Sequence, residues 1–488
     1  MFNILSYIFS SKYRHKFELI INLFKIFMTT EKGTQKRFLY IITFISAMGG
    51  LLFGYDWVVV GGAKPFYEAY FDIGDSPNMQ GWVMGSAILG CLIGVFITGF
   101  LADRFGRKSL LFISSLIFII AAYGTGVVDD LTLFIFYRVV GGIGIGIASN
   151  LSPMYIAEVA PANIRGKLVS VNQLTIVVGI LLAQIVNYLI AEPVIQGEQI
   201  IDTWNGQSGW RWMFWSGGFP AALFFALLFV LPESPKWLIS RGRIDDASKT
   251  LVKIGGTAYA NTEIQALTPI SQTVQTETNY ATLFKGKMPK ILLIGIVIAA
   301  FQQWCGINVI FNYAEEIFSA AGYGVSDILF NIIITGITNL LFTIIGMYTV
   351  DKLGRRALLI FGSVGLASIY TLLGLCYYYA FSGIAVLVLV MLAIGCYAMT
   401  LAPITWVVIS EIFPTKIRGA AMAISTFSLW TACFILTYTF PLLNASLGAY
   451  GTFWLYGAIC LLGFWFIKRN LTETKGKSLE QIEQELTR

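Results

Sequence analysis

Residues 103–108 read Asp-Arg-Phe-Gly-Arg-Lys, and residues 351–356 read Asp-Lys-Leu-Gly-Arg-Arg. Downstream, Glu158, Pro161, Arg165 and Gly166 have the same spacing as Glu411, Pro414, Arg418 and Gly419. A third echo pairs Pro-Glu-Ser at 232–234 with Thr-Glu-Thr at 472–474. Three matches in the same order, offset by about 240–253 residues, describe a chain built from two copies of one plan. Each charged echo follows or precedes a long apolar run, so the plan is a set of apolar segments joined by charged loops.

Composition says where those segments lie. Of 488 residues, 56% are hydrophobic and 12% charged, about half the roughly 25% charge of a soluble domain. Such a surface must face lipid. A span needs about 20 apolar residues, and twelve candidates fit: roughly 38–62, 80–101, 109–128, 131–155, 168–191, 211–231, 289–318, 327–350, 357–379, 384–410, 419–441 and 450–468. The expected fold is therefore an all-α integral membrane protein of twelve transmembrane helices in two pseudo-symmetric six-helix halves. The domain plan is an N-terminal segment 1–37, a half over 38–231, a linker over 232–290, a half over 291–468 and a tail over 469–488. Parallel halves place a substrate site at their interface near the midplane.

Lysine and arginine accumulate in cytoplasmic loops. With both termini inside, all but three of the 33 basic residues fall on the inner side. The exceptions are Lys64, assigned to an outer loop, Arg138 within the fourth span, and Arg211 at the outer mouth of the sixth. The formal charge of +6 is thus a topology signal and not a nucleic-acid patch. The linker, with Arg241, Arg243, Asp245, Asp246, Lys249 and Lys253 among apolar residues, reads as short amphipathic helices on the cytoplasmic face. It carries no phosphate-binding glycine loop. Residues 2–27, basic and aromatic, read either as an interfacial helix or as sequence upstream of a start at Met28.

Several chemistries are excluded. A single histidine, His15 in the N-terminal tail, permits neither a histidine metal site nor a Ser-His-Asp triad in the membrane. Six cysteines lie in apolar runs without CxxC spacing, so no disulfide framework or zinc motif is expected. No cofactor, no metal and no enzymatic activity are expected.

Two constellations remain. Asp56 and Arg138 are ionisable groups within spans, where a charge costs at least ~2.5–3.5 kcal/mol unless paired or wetted. They read either as a structural ion pair or as a proton switch, since burial and a cationic partner push a carboxyl pKa in opposite directions. The second constellation is of amides: Gln173 in the fifth span, Gln302, Gln303, Asn308 and Asn312 in the seventh, and Asn339 in the eighth. Amides supply donors and acceptors without charge, which suits a neutral polyhydroxylated ligand. One amide alone is interhelical glue of ~0.6 kcal/mol. Positions 302, 308 and 312 share no strict helical face, so a common site requires a break, for which Gly306 is placed. Trp406, beside Pro403, and Trp430 offer rings on which the C–H face of a sugar can stack.

These residues resemble the sugar porter family of the major facilitator superfamily over roughly residues 38–480, and within it the bacterial xylose–proton symporters. The likeness is carried by Gly-Gly-Leu-Leu-Phe-Gly-Tyr-Asp at 49–56, Ala-Asp-Arg-Phe-Gly-Arg-Lys at 102–108, Arg-Val-Val-Gly-Gly-Ile-Gly at 138–144 and Pro-Met-Tyr-Ile-Ala-Glu at 153–158. Further carriers are Pro-Glu-Ser-Pro-Lys-Trp-Leu at 232–238, Gln-Gln-Trp-Cys-Gly-Ile-Asn at 302–308 and Ser-Glu-Ile-Phe-Pro at 410–414. The resemblance implies sugar contacts at Gln173, Gln302, Gln303, Asn308, Asn339 and Trp406, with Phe53 and Trp430 lining the cavity. It implies proton coupling at Asp56 with Arg138 as partner. Departures at Ile180, Asn312 and Leu429 alter the cavity wall and put identity as a xylose carrier in question; Ala402 and Thr472 depart elsewhere.

Duplicated loops suggest a cytoplasmic gate from Asp103, Arg104, Arg107, Glu158 and Arg165 in one half and Asp351, Arg355, Glu411 and Arg418 in the other. Their ion pairs are expected to cross between halves when the inner side is closed and to break on inward opening. The expected function is proton-coupled monosaccharide import across a bacterial cytoplasmic membrane, by a monomer whose partners are a small neutral sugar, a proton and the lipid bilayer. A sugar uniporter, a transporter-like sensor, a membrane enzyme and a drug exporter are the alternatives.

Overall fold

The computed structural model describes residues 34–161, 163–194, 198–273, 286–381, 383–413 and 418–475. Ten of its helices are long and apolar enough to cross a membrane. The last of these, Arg418–Asn470, makes two crossings, because Gly448 at φ 67° and ψ 172° reverses it. The sixth crossing is built from Trp210–Ser216 and Gly218–Leu228, joined at Gly217. The count of twelve expected from sequence is thus reached, in a multi-pass membrane protein of helices only among the described residues.

Close packing follows from glycine. In the N-terminal half, the second span (Pro77–Phe105) and the fourth (Leu131–Val159) cross backbone to backbone at Gly90, Gly94, Gly142 and Gly146. A Cβ on Gly90 would stand 2.0 Å from the Val139 carbonyl oxygen, so no larger residue fits. In the absence of a hydrophobic drive between helices in lipid, such small-residue contacts carry the association. Gly54 of the first span (Thr34–Tyr70) and Gly179 of the fifth (Arg165–Ile190) do the same for that pair. In the C-terminal half the eighth span (Val325–Leu353) packs on the tenth, and the ninth (Arg355–Tyr378) on the last helix.

The halves meet along the second and eleventh spans and along the fifth and eighth. Their contacts lie on the face opposite the charged loops: Asn78 and Gly81 against Tyr438, Gly85 against Phe434, Gln184 against Gly336, and Tyr188 against Phe330. The molecule is therefore closed on that far face.

The linker contains Pro235–Ser240 and Ile244–Thr273, the latter broken at Gly256, as expected of short amphipathic helices. Leu238, Ile239 and Ala247 bury one face of them. Residues 2–27 fall outside the described residues.

An amide row, a buried ion pair and two charged clamps

The seventh span turns on Gly306. Helix Met288–Trp304 stops, Gly306 takes the left-handed conformation at φ 86° and ψ −1°, and Ile307–Asn312 resumes on a new axis. A Cβ there would meet the Tyr456 ring at 2.8 Å, and an L side chain at that φ is strained. The break that a shared amide site required is present. Across it, Asn308 Nδ2 donates to Gln303 Oε1, Gln303 Nε2 donates to Gln302 Oε1 at 2.6 Å, and Gln302 Nε2 donates to the Tyr397 hydroxyl oxygen at 2.5 Å. Gln302 and Gln303 are buried and Asn308 is half-buried. Tyr397 belongs to the tenth span, itself interrupted at Thr400 between Ile384–Met399 and Leu401–Glu411.

Aromatic rings gather between the first and eleventh spans. Phe53, Trp57 and Trp430 form a triangle with centroids 5.8 to 6.0 Å apart, joining the first span to the eleventh. Trp406 lies outside the triangle and is 39% exposed. Gln173 is half-buried on the fifth span, and Asn339 is buried on the eighth. Ile180 and Leu429 are buried apolar side chains.

Asp56 and Arg138 do touch: Arg138 Nη1 donates to Asp56 Oδ2 at 3.2 Å. The Arg138 side chain is 3% exposed and that of Asp56 20%. The pair stands between two cavities. One, lined by Trp57, Val60, Met84, Arg138 and Asn312 among others, reaches the interface of the halves; the second, lined by Leu52, Tyr55, Asp56, Phe118 and Phe214 among others, lies within the N-terminal half. Asn312 Oδ1 is buried without a partner in the first cavity.

The duplicated loops form two clamps of the same design. Arg107 binds Glu158 at 2.9 Å and Asp103 at 3.1 Å; Ser234 Oγ donates to Glu158 Oε2, and Glu233 accepts from the backbone N–H groups of Arg107 and Lys108. In the other half Arg355 binds Glu411 at 3.3 Å, Thr474 donates to Glu411 Oε2 at 2.6 Å, and Glu473 accepts from the N–H groups of Arg355 and Arg356. Both glutamates cap helices that start after a glycine, Gly106 at φ 89° and Gly354 at φ 92°. Burial pushes the Glu233 carboxyl above its usual range. Burial also raises Glu473, but its backbone hydrogen bonds outweigh that and hold it below.

These pairs fasten helices within one half, whereas the expected gate pairs cross between halves. Arg104 is exposed with its guanidinium over Phe105, and Arg165 stands at the start of the fifth span. The side chains of Asp351 and Arg418 fall outside the described residues. Among the described residues, ion pairs that cross between the halves lie on the far face, and they correct one assignment. Lys64 is not in a loop: it lies within the first helix, 1% exposed, at 2.5 Å from Glu316 and 2.7 Å from Glu68. Sequence reading also passed over Trp57, Tyr397 and the buried Gln184. For Gln184 a signal existed, since it follows Gln173 by eleven residues, three helical turns along one face.

A family profile described as "Sugar (and other) transporter" matches residues 42–486. The D-xylose-proton symporter of Escherichia coli (strain K12) is 38% identical, over 92% of this chain and 96% of its own. The arabinose-proton symporter of Bacillus subtilis (strain 168) is 37% identical, over 92% and 95%. Among solved structures, the inward-open conformation of the xylose transporter XylE from E. coli superposes with a TM-score of 0.80 at 35% identity, over 92% of this chain and 99% of that one. The chain belongs to the sugar transporter family of the major facilitator fold.

Proposed function

We propose that this protein imports a small neutral monosaccharide together with a proton by alternating access, with the charged loops on the cytoplasmic side of the cell membrane. The observation that carries this reading is the Arg138–Asp56 pair, with Arg138 lining one cavity together with Trp57 of the aromatic triangle and Asn312, and Asp56 lining another. The amides and Tyr397 offer hydrogen bonds to hydroxyl groups, and Phe53, Trp57 and Trp430 offer rings to the apolar face of the sugar. The names of the relatives, a xylose and an arabinose symporter, favour a pentose. Ile180 and Leu429 make part of the wall apolar, while Asn312 adds an unpaired amide oxygen, so the hydroxyl pattern recognised differs from that of a cavity with polar groups at the first two positions.

Coupling follows from the ion pair. Protonating Asp56 removes the charge that holds Arg138 and changes the relative stability of the two access states. In the far-face-closed state described here the charged clamps lie within halves; cross-half pairing of the same loops belongs to the opposite state. No cofactor beyond the coupling proton is required.

The test is the external pH of weakly buffered, de-energised cells as xylose, arabinose, glucose, galactose, fucose or rhamnose is added. Alkalinisation with one sugar is expected. In Asp56→Asn that signal and gradient-driven accumulation are lost, while exchange of labelled sugar persists. Accumulation that survives in Asp56→Asn would falsify the coupling role and leave the pair structural.

A further inference from the structure

On the far face, the end of the first span meets the short helix Ala314–Ala320 that follows the seventh. The chains touch there: a Cβ on Gly61 would stand 3.0 Å from the Phe311 carbonyl oxygen. Lys64 Nζ is the centre of the contact, with Glu68 Oε2 at 2.7 Å on its own helix, Glu316 Oε1 at 2.5 Å and Glu315 Oε2 at 4.0 Å on the other half. The Tyr313 ring lies under the ammonium at 5.8 Å. Three carboxylates therefore share one cation in a place where Lys64 and Glu68 are more than nine-tenths buried. Two carboxylate oxygens, Glu68 Oε1 and Glu316 Oε2, are buried with no hydrogen-bond partner. Among the described residues no second cation lies within ion-pair distance of these carboxylates, and Arg138, beyond Tyr67, is paired with Asp56. Gln80 donates to Glu68, the Tyr67 hydroxyl donates to Met84, the Tyr313 hydroxyl donates to the Thr437 carbonyl, and Arg211 is engaged by Asp129.

We propose that the Lys64–Glu68–Glu315–Glu316 cluster is a second proton-binding site, separate from Asp56, which takes up a proton from the outer medium as the far face closes and so latches it shut. Lys64 and Glu68 lie four residues apart on one helix and remain a neutral pair whether or not the halves are together. Closure adds to that neutral pair the two adjacent carboxylates of the other half. Lys64 can neutralise only one of the three carboxylates, so the closed cluster carries two uncompensated negative charges when all three are ionised. Burial and like charge both favour the protonated carboxyl, so the closed state binds a proton more tightly than the open one. By linkage, closure is favoured in acid and weakens as pH rises, by up to about tenfold in the closed-to-open ratio per pH unit for one proton. The proton enters and leaves on the same side, so the latch biases access and does not itself drive accumulation. Assigning that side to the outer medium rests on the proposed import reading.

The experiment measures closure directly. Spin labels at Asp75→Cys and Ser319→Cys, exposed positions on the two halves, report the far-face distance in purified protein. The half-buried Cys376 and Cys396 are replaced by serine. Between about pH 5 and about pH 9 the closed fraction is measured in an Asp56→Asn background, which removes the proton-dependent bias proposed for Asp56, and is still expected to fall. Glu68→Gln with Glu315→Gln, neutral copies of the protonated state, is expected to stay closed throughout. A flat titration of the labelled Asp56→Asn protein, or a slope that survives when Glu68→Gln and Glu315→Gln are added to it, each overturns the proposal. So does closure that follows sodium, when sodium is exchanged for choline at fixed pH. The readout needs no sugar: a pH-dependent distance without any sugar transport would fail the import reading alone, and sugar-coupled proton uptake with a flat distance would fail the latch alone.

Discussion

The two halves are copies on their charged face and strangers inside. On the charged face each carries a glycine-started helix capped by a glutamate, an arginine–glutamate pair and a hydroxyl on that second glutamate: Glu233, Arg107–Glu158 and Ser234 in one half, and Glu473, Arg355–Glu411 and Thr474 in the other. At the centre, the N-terminal half presents a charged pair, Asp56–Arg138, whereas the C-terminal half presents the uncharged row Asn308–Gln303–Gln302–Tyr397. The duplicated parts hold each six-helix body rigid, a task both halves share. On the proposed reading, the diverged parts separate two tasks, handling a proton and holding a neutral ligand, that one set of side chains would perform at cross purposes.

That division can be broken most severely at Arg138. Arg138→Met leaves Asp56 without its cation, and removing one partner of a buried pair costs about 3–5 kcal/mol. The variant is expected to lose sugar accumulation and to melt at lower temperature. Adding Asp56→Asn is expected to restore the melting temperature and not the accumulation. If the double variant accumulates sugar, the charges are structural and the proposed division between halves fails.

A smaller effect sharpens the other side. Gln303 is the middle of the amide row, so Gln303→Ala strands Asn308 and Gln302 together. An unsatisfied buried polar group costs about 1–3 kcal/mol, and sugar affinity should weaken about ten- to a hundredfold, measured by equilibrium binding. The pH dependence of any residual transport should be that of the parent. A variant that shifts the pH dependence and spares affinity would place Gln303 on the proton side.

The parts legible in the sequence are those where physics leaves a local mark. Charged residues are expensive in lipid, so their loops punctuate the chain and exposed the repeat at 103–108 and 351–356. The break at Gly306 was readable because amides at 302, 308 and 312 could not otherwise share a site. Lys64 was misplaced for the opposite reason. A lysine followed by Pro65 looks like a loop. Glu68, four residues on, was a local helical signal that sequence reading passed over, whereas Glu316 lies 252 residues beyond the lysine with no local pattern to announce it. Trp57 is one of twelve tryptophans, and only the packing of the first span on the eleventh shows which face it takes.

The smallest difference lies within the clamps themselves. Glu233 and Glu473 accept from equivalent backbone N–H groups, but Glu233 is the more buried, and burial raises its carboxyl while Glu473 is held below its ordinary value. A depressed carboxyl contributes stability above its unfolded pKa and loses it as pH falls through the folded value. A raised one does the reverse: its ionised form is disfavoured at neutral pH, and protonation relieves it. Acidification should therefore loosen the cap on the ninth span and spare the cap on the third. Hydrogen exchange, corrected for the intrinsic pH dependence of the amides, should show protection falling at Arg355 and Arg356 below about pH 4 but holding at Arg107 and Lys108. Glu473→Ala should remove the protection of Arg355 and Arg356 at neutral pH, at a cost of about 1 kcal/mol by analogy with other helix caps. Equal acid sensitivity of the two caps would mean that the clamps are copies in energy as well as in geometry, and that the halves diverge only at their centres.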